Sequence, residues 1–91
     1  MVAQWEARDG EADRVAEILS RFLPEAQKEP GAQLFLISRA KDNPAQLLFY
    51  ELFRDEAAFK AHQESEHFKT YIAGQAVPLL ARRERMQYGL I

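Results

Sequence analysis

A carboxylate and two imidazoles stand close together in one stretch of this chain, Leu47 to Phe68, which reads LLFYELFRDEAAFKAHQESEHF. Glu51 interrupts an apolar run, His62 falls on the segment that follows, and His67 lies just beyond. Imidazole titrates near neutrality, and a carboxylate beside it orients the ring and raises its basicity, so this combination suits proton transfer to or from a bound molecule. Cysteine is absent, which removes thiol nucleophiles, thiolate metal sites and disulfides together. Two histidines five residues apart, across a break in the helix, make a poor metal site without further ligands, and no metal is expected.

The elements that carry these groups decide whether they meet. Gln46 to Phe53 reads as a strand, with Leu47, Phe49, Glu51 and Phe53 on one face and Leu48, Tyr50 and Leu52 on the other. Asp55 caps a helix through about Gln63, on which His62 shares a face with Ala58 and Phe59. If the helix folds back along the strand, Glu51 and His62 each lie about 10 Å from the turn, at about 3.3 Å per strand residue and 1.5 Å per helix residue. Two roles fit such a pair: a buried contact pinning helix to sheet, or an acid–base couple in which Glu51 tunes His62. His67, at the start of the next helix, reads as surface or pocket rim. Trp5, Tyr50, Tyr71 and Tyr88 fit core or interface positions.

The rest of the chain supplies a frame in alternating elements. Val2 to Ala7 is a short strand closed by Asp9-Gly10. Ala12, Val15, Ile18, Leu19 and Phe22 recur at helical spacing, and Pro24 is expected to kink or end that helix. Glu25 to Lys28 adds one more turn before Glu29-Pro30-Gly31 stops it. Gln33 to Arg39 is a strand, and Lys41-Asp42-Asn43-Pro44 turns it into Gln46 to Phe53. Ser65 caps a further helix through about Gly74, a helical turn follows Pro78, and a last strand is expected over Arg85 to Leu90, with Arg82-Arg83 solvated before it. The order β-α-β-β-α-β with a broken second helix is the α+β, ferredoxin-like plan with an antiparallel sheet.

Ninety-one residues make one domain, here taken as 1–91. A net charge of −2 with both signs interspersed argues against nucleic acid as a partner, and no apolar run approaches the roughly 18 residues a membrane helix requires. Without a secretory signal or disulfides, a small soluble cytoplasmic domain is expected. Both faces of Leu34 to Ile37 and of Leu47 to Phe53 are apolar, whereas a sheet with one wet face alternates. Two helical segments cover only one face, so a second copy related by two-fold symmetry is expected on the other.

In sequence order, Gly10 before an amphipathic helix, Glu29-Pro30-Gly31 before a strand, Tyr50-Glu51, Ala58-Phe59-x-x-His62 and Ser65-x-His67-Phe68 resemble the antibiotic biosynthesis monooxygenase family over nearly the whole chain. The resemblance implies a dimeric α+β barrel in which two protomers pack sheet to sheet, each with a pocket between sheet and helices. Quinol monooxygenases of this kind oxidise a small aromatic substrate with O₂ and take no metal, flavin or other cofactor. It implies His62 as base tuned by Glu51, and Phe49, Phe53 and Tyr71 as walls of a substrate pocket with His67 at its edge. Haem-degrading relatives carry a tryptophan where this chain has Phe53, a histidine near Tyr71, and an asparagine on the first strand that Val2 to Ala7 lacks, so haem is not expected. The other function the resemblance allows is a non-catalytic dimeric module that binds a small ligand or serves in stress.

Overall fold

The computed structural model describes residues Met1–Ile91. Strands β1 (Val2–Ala7), β2 (Ala32–Arg39), β3 (Gln46–Phe53) and β4 (Leu80–Met86) form one antiparallel sheet in the order β2-β3-β1-β4. Helix α1 (Ala12–Gln27) joins β1 to β2; α2 (Glu56–Gln63), α3 (Phe68–Ala76) and a 3-10 turn at Val77–Leu79 join β3 to β4. This is the ferredoxin-like β-α-β-β-α-β plan, with the second helical position split in two.

Local chemistry explains these elements. Gly10 takes φ of 80°, a left-handed conformation that costs glycine nothing, and turns the chain from β1 into α1. Helix α1 buries Val15, Ile18, Leu19, Phe22 and Ala26 on one stripe. It runs through Pro24 instead of ending there. Phe22 and Ala26, on either side of the proline, are both buried, and that anchoring offsets a cost of about 3 kcal/mol for the lost hydrogen bond and ring clash. The carbonyl deprived of its partner belongs to exposed Ser20, where water can satisfy it. Helix α2 starts at Asp55, whose Oδ1 accepts from the Ala58 N–H at 2.8 Å. Ser65 links α2 to α3: its hydroxyl donates to the His62 carbonyl at 2.7 Å and accepts from the Phe68 N–H at 3.2 Å.

The last strand lies earlier than the sequence indicates, at Leu80–Met86 and not Arg85 to Leu90. Strand β1 sets the limit, because its pairing runs from Ala7 opposite Leu80 to Val2 opposite Met86, leaving later residues nothing to pair with. Arg82 and Arg83 therefore sit within β4 itself. Helix α3 is wound as a π-helix and carries on past Gly74 to Ala76.

The helices cover the sheet face bearing Trp5, Phe35, Leu47 and Phe49, and the core closes between that face, α1, and Ile72 and Ala76 of α3. Trp5 and Phe49 stack with centroids 4.4 Å apart. On the opposite face Leu34, Leu36, Leu48 and Tyr50 remain between 39% and 49% exposed. Leu36, Tyr50, Val2 and Met86 form one row across all four strands by register. No helix is long and apolar enough to cross a membrane.

Candidate active site

The carboxylate that holds His62 is Glu29, from the loop after α1. Its Oε2 stands 2.7 Å from His62 Nδ1 and 2.6 Å from His67 Nε2. A carboxylate oxygen only accepts, so both rings present N–H to it, which places the His62 proton on Nδ1 and leaves Nε2 with its lone pair. The backbone fixes Glu29 from both sides, through its N–H to the Ala26 carbonyl (3.2 Å) and the Ala32 N–H to its carbonyl (3.0 Å). Gly31 then lets α2 come close: a Cβ there would collide with the Cβ of Ala58, one turn before His62. The Arg54 N–H bonds the Gly31 carbonyl at 2.8 Å and ties the same loop to the end of β3.

Glu51 and His62 do share the covered side, both nearly completely buried, at 4% and 2% exposure. They are not hydrogen-bonded. Glu51 Oε1 is 3.8 Å from His62 Nε2 and has no partner at all. Burial pushes the Glu51 carboxyl up from its ordinary 4.5 to about 7; the Glu29 charge adds to the rise, and the Met1 ammonium, Arg85 and Arg83 oppose it. His62 moves down from 6.5, chiefly because burial disfavours the imidazolium, against the pull of Glu29. Near pH 7 the ring is thus neutral and the neighbouring acid is poised between its two forms.

Both residues line a narrow cleft between the sheet and the helices, with a cavity volume of about 30 Å³. Its walls include Trp5, Phe22, Phe35, Phe49, Phe59 and Phe68. Glu29 is not among its lining residues and sits behind the His62 ring. An apolar, aromatic cleft with a few convergent polar atoms has the character of a small-molecule site.

The candidate residues named from sequence are distributed as follows. Phe49 lines the cleft, and Phe53 packs on His62 with centroids 5.1 Å apart and borders a neighbouring pocket beside Glu51. Tyr71 packs against the core instead of the cleft, because α3 turns Phe68 and Ile72 inward. His67 is more than rim: it is 19% exposed in its side chain and completes the hydrogen bonds to Glu29. Glu29 itself escapes sequence reading because it lies 33 residues before His62 within what reads as a turn. The signal was present in the hairpin: pairing Ala32 with Phe53 brings the loop before β2 beside the start of α2.

Glu29, His62 and His67 are also a set whose ligand atoms lie within 4.8 Å of one another. A cation would displace two ring protons and push Oε2 away from both nitrogens, since ligands at about 2.0–2.2 Å from a zinc-like ion stand about 3 Å or more apart. The donor set is satisfied by hydrogen bonds as it stands.

The family model described as antibiotic biosynthesis monooxygenase matches residues 1–74. Among solved structures, a Nitrosomonas europaea protein named for the same monooxygenases superposes with a TM-score of 0.92 at 22% identity, over 99% of this chain and 95% of that one. A Bacteroides thetaiotaomicron protein named likewise gives 0.89 at 21% identity, over 99% and 86%. PA3566 from Pseudomonas aeruginosa gives 0.84 at 24% identity, over 99% and 91%. At such identities these likenesses establish the fold. No curated protein gives a significant match.

Proposed function

The chain belongs to the antibiotic biosynthesis monooxygenase family, and on that premise we propose that it oxidises a quinol or related polyphenol with O₂, using His62 as the base. The observation that carries the reading is the polarity of one ring. Glu29 holds His62 Nδ1 from behind at 2.7 Å, while Nε2 faces the aromatic cleft beside the unpartnered Oε1 of Glu51. A phenolic oxygen about 2.8 Å from both atoms fits over their 3.8 Å separation.

From there the chemistry runs as follows. His62 Nε2 takes the phenolic proton, and Glu29 steadies the imidazolium through Nδ1–H. The phenolate is electron-rich enough to pass the first electron to triplet O₂ itself, so the scheme routes no step through a metal or flavin. One oxygen atom then replaces a ring hydrogen as hydroxyl and the other leaves as water. The four electrons O₂ requires come from oxidation of the quinol to the quinone and of the hydroxylated carbon, giving hydroxyquinone and water from one quinol and one O₂. The walls around Phe49 hold the ring in a dry space, and Phe53 packs against the base. The protein works in the cytoplasm as a homodimer joined through the exposed apolar sheet face.

Oxygen uptake tests this directly. Purified protein with a panel of hydroquinones and catechols, without added metal or flavin, should consume one O₂ per hydroxyquinone formed, and His62→Ala should lower the rate by about 100-fold or more. Unchanged turnover in a folded His62→Ala protein refutes the base. Thermal stabilisation by the panel without any uptake in the wild type would instead leave a non-catalytic binding module.

A further inference from the structure

The cleft ends at two guanidinium groups that the oxidation scheme does not use. Arg83 and Arg85 lie on β4, the edge strand, in register with Trp5 and Ala3 of β1. Cross-strand partners share a face, so both arginines stand on the covered side of the sheet, and both line the cleft. Neither arginine makes an ion pair; Arg8 and Arg14 are unpaired as well, but only Arg83 and Arg85 among these four line the cleft. The Arg83 guanidinium rests 5.9 Å from the Trp5 ring centroid, which orients its fork at the cleft wall. The cleft is therefore bipolar. Its inner end presents Nε2 of His62 and the Glu51 carboxyl, its middle is aromatic, and its outer end carries two free cations.

We infer that the ligand of this cleft is an aromatic acid: a diphenol whose ring carries a carboxylate that Arg83 and Arg85 bind while its hydroxyl meets His62. β3 and β4 are separated by β1, about 10 Å at a strand spacing of about 4.8 Å. That is the reach of one benzene ring with a polar group at each end. Guanidinium suits the partner as well as the charge, since its planar fork matches a carboxylate in two parallel hydrogen bonds. The two unpaired cations also steer an anion toward the mouth and disfavour a neutral ring of the same shape. This inference rests on the proposed monooxygenase reading for the inward direction of the hydroxyl, but the charge preference stands on the arginines alone.

Binding measured without turnover separates the two. Under nitrogen at low salt, calorimetry compares 2,5-dihydroxybenzoate with its methyl ester and with hydroquinone. The wild type should bind the acid at least about tenfold more tightly than either uncharged ligand, which corresponds to about 1.4 kcal/mol. In the Arg83→Gln/Arg85→Gln protein that preference should fall to about twofold or less, with hydroquinone affinity nearly unchanged. Arg85→Gln alone, at an exposed position, provides the same reading in part if the double variant is less stable. Equal affinity for acid and ester in the wild type, no binding of the acid, or a preference that survives in the folded double variant each overturns the proposal. Oxygen uptake that fails while the acid preference holds would count against the oxidation alone.

Discussion

What His62 does depends on which of its nitrogens carries the proton. Glu29 takes the Nδ1 side, and the consequence is an unprotonated Nε2 on a ring that lines an aromatic cleft. Glu29→Gln replaces the acceptor with an amide and withdraws charge from behind the ring, so the quinol rate should fall by about 100-fold with KM little changed, as steady-state kinetics would register. Glu51 makes a different statement, about stability. With its carboxyl raised to about 7, the folded chain holds a proton that the unfolded chain releases above 4.5. Stability therefore declines as pH rises from about 4.5 through about 7, by about 3 kcal/mol in total. Glu51→Gln removes that penalty: its melting temperature should exceed that of the wild type at pH 8 and match it near pH 5. An unaltered difference between the two pH values would show that the carboxyl is not raised. His62 acts in the opposite sense. Its lowered pKa means the unfolded chain takes up a proton first, so its contribution is complete above 6.5 and is lost as pH falls below that value.

At the scale of elements, the loop Glu29-Pro30-Gly31 matters more than its length suggests. It stops α1, supplies the carboxylate, and through Gly31 allows α2 to seat against it. Gly31→Ala would force Ala58 and its helix outward; about 1–3 kcal/mol of stability should be lost in denaturant titration, and the His62 resonances should shift although that residue is untouched. How much of this was legible from sequence follows from how local each signal is. Strand parity grouped Leu47, Phe49, Glu51 and Phe53 without helix positions, and depth counting along strand and helix brought Glu51 and His62 to the same level, where they stand 3.8 Å apart. Neither rule reaches across 33 residues to Glu29, because that contact is made by hairpin pairing and not by spacing. Pro24 left two outcomes open for a related reason: propensity is a local property, and the burial of Phe22 and Ala26 that carries the helix on for its last turn is tertiary. The bounds of β4 depended on where β1 runs out, which β4's own residues do not encode.

For the whole molecule, the sheet has one face packed and one face bare. Leu36, Tyr50, Val2 and Met86 cross it in a row, flanked by Leu34 and Leu48. A contiguous apolar surface of this kind is what two-fold association buries. Tyr50→Asp or Leu36→Asp places a charge at its centre and should convert a dimer to monomer or aggregate in light scattering coupled to size exclusion; an unchanged dimer would refute this interface. The cleft opens on the other side of the sheet, so monomeric variants that stay folded should keep the geometry around His62.

The site as a whole depends on one neutral imidazole with its proton on Nδ1, and nitrogen NMR of the histidine rings reads that most directly. In ¹⁵N-labelled protein titrated from pH 5 to 8, His62 should be neutral at pH 7, carry its proton on Nδ1, and become protonated only below 6.5. A proton on Nε2, or an imidazolium at pH 7, would contradict the account.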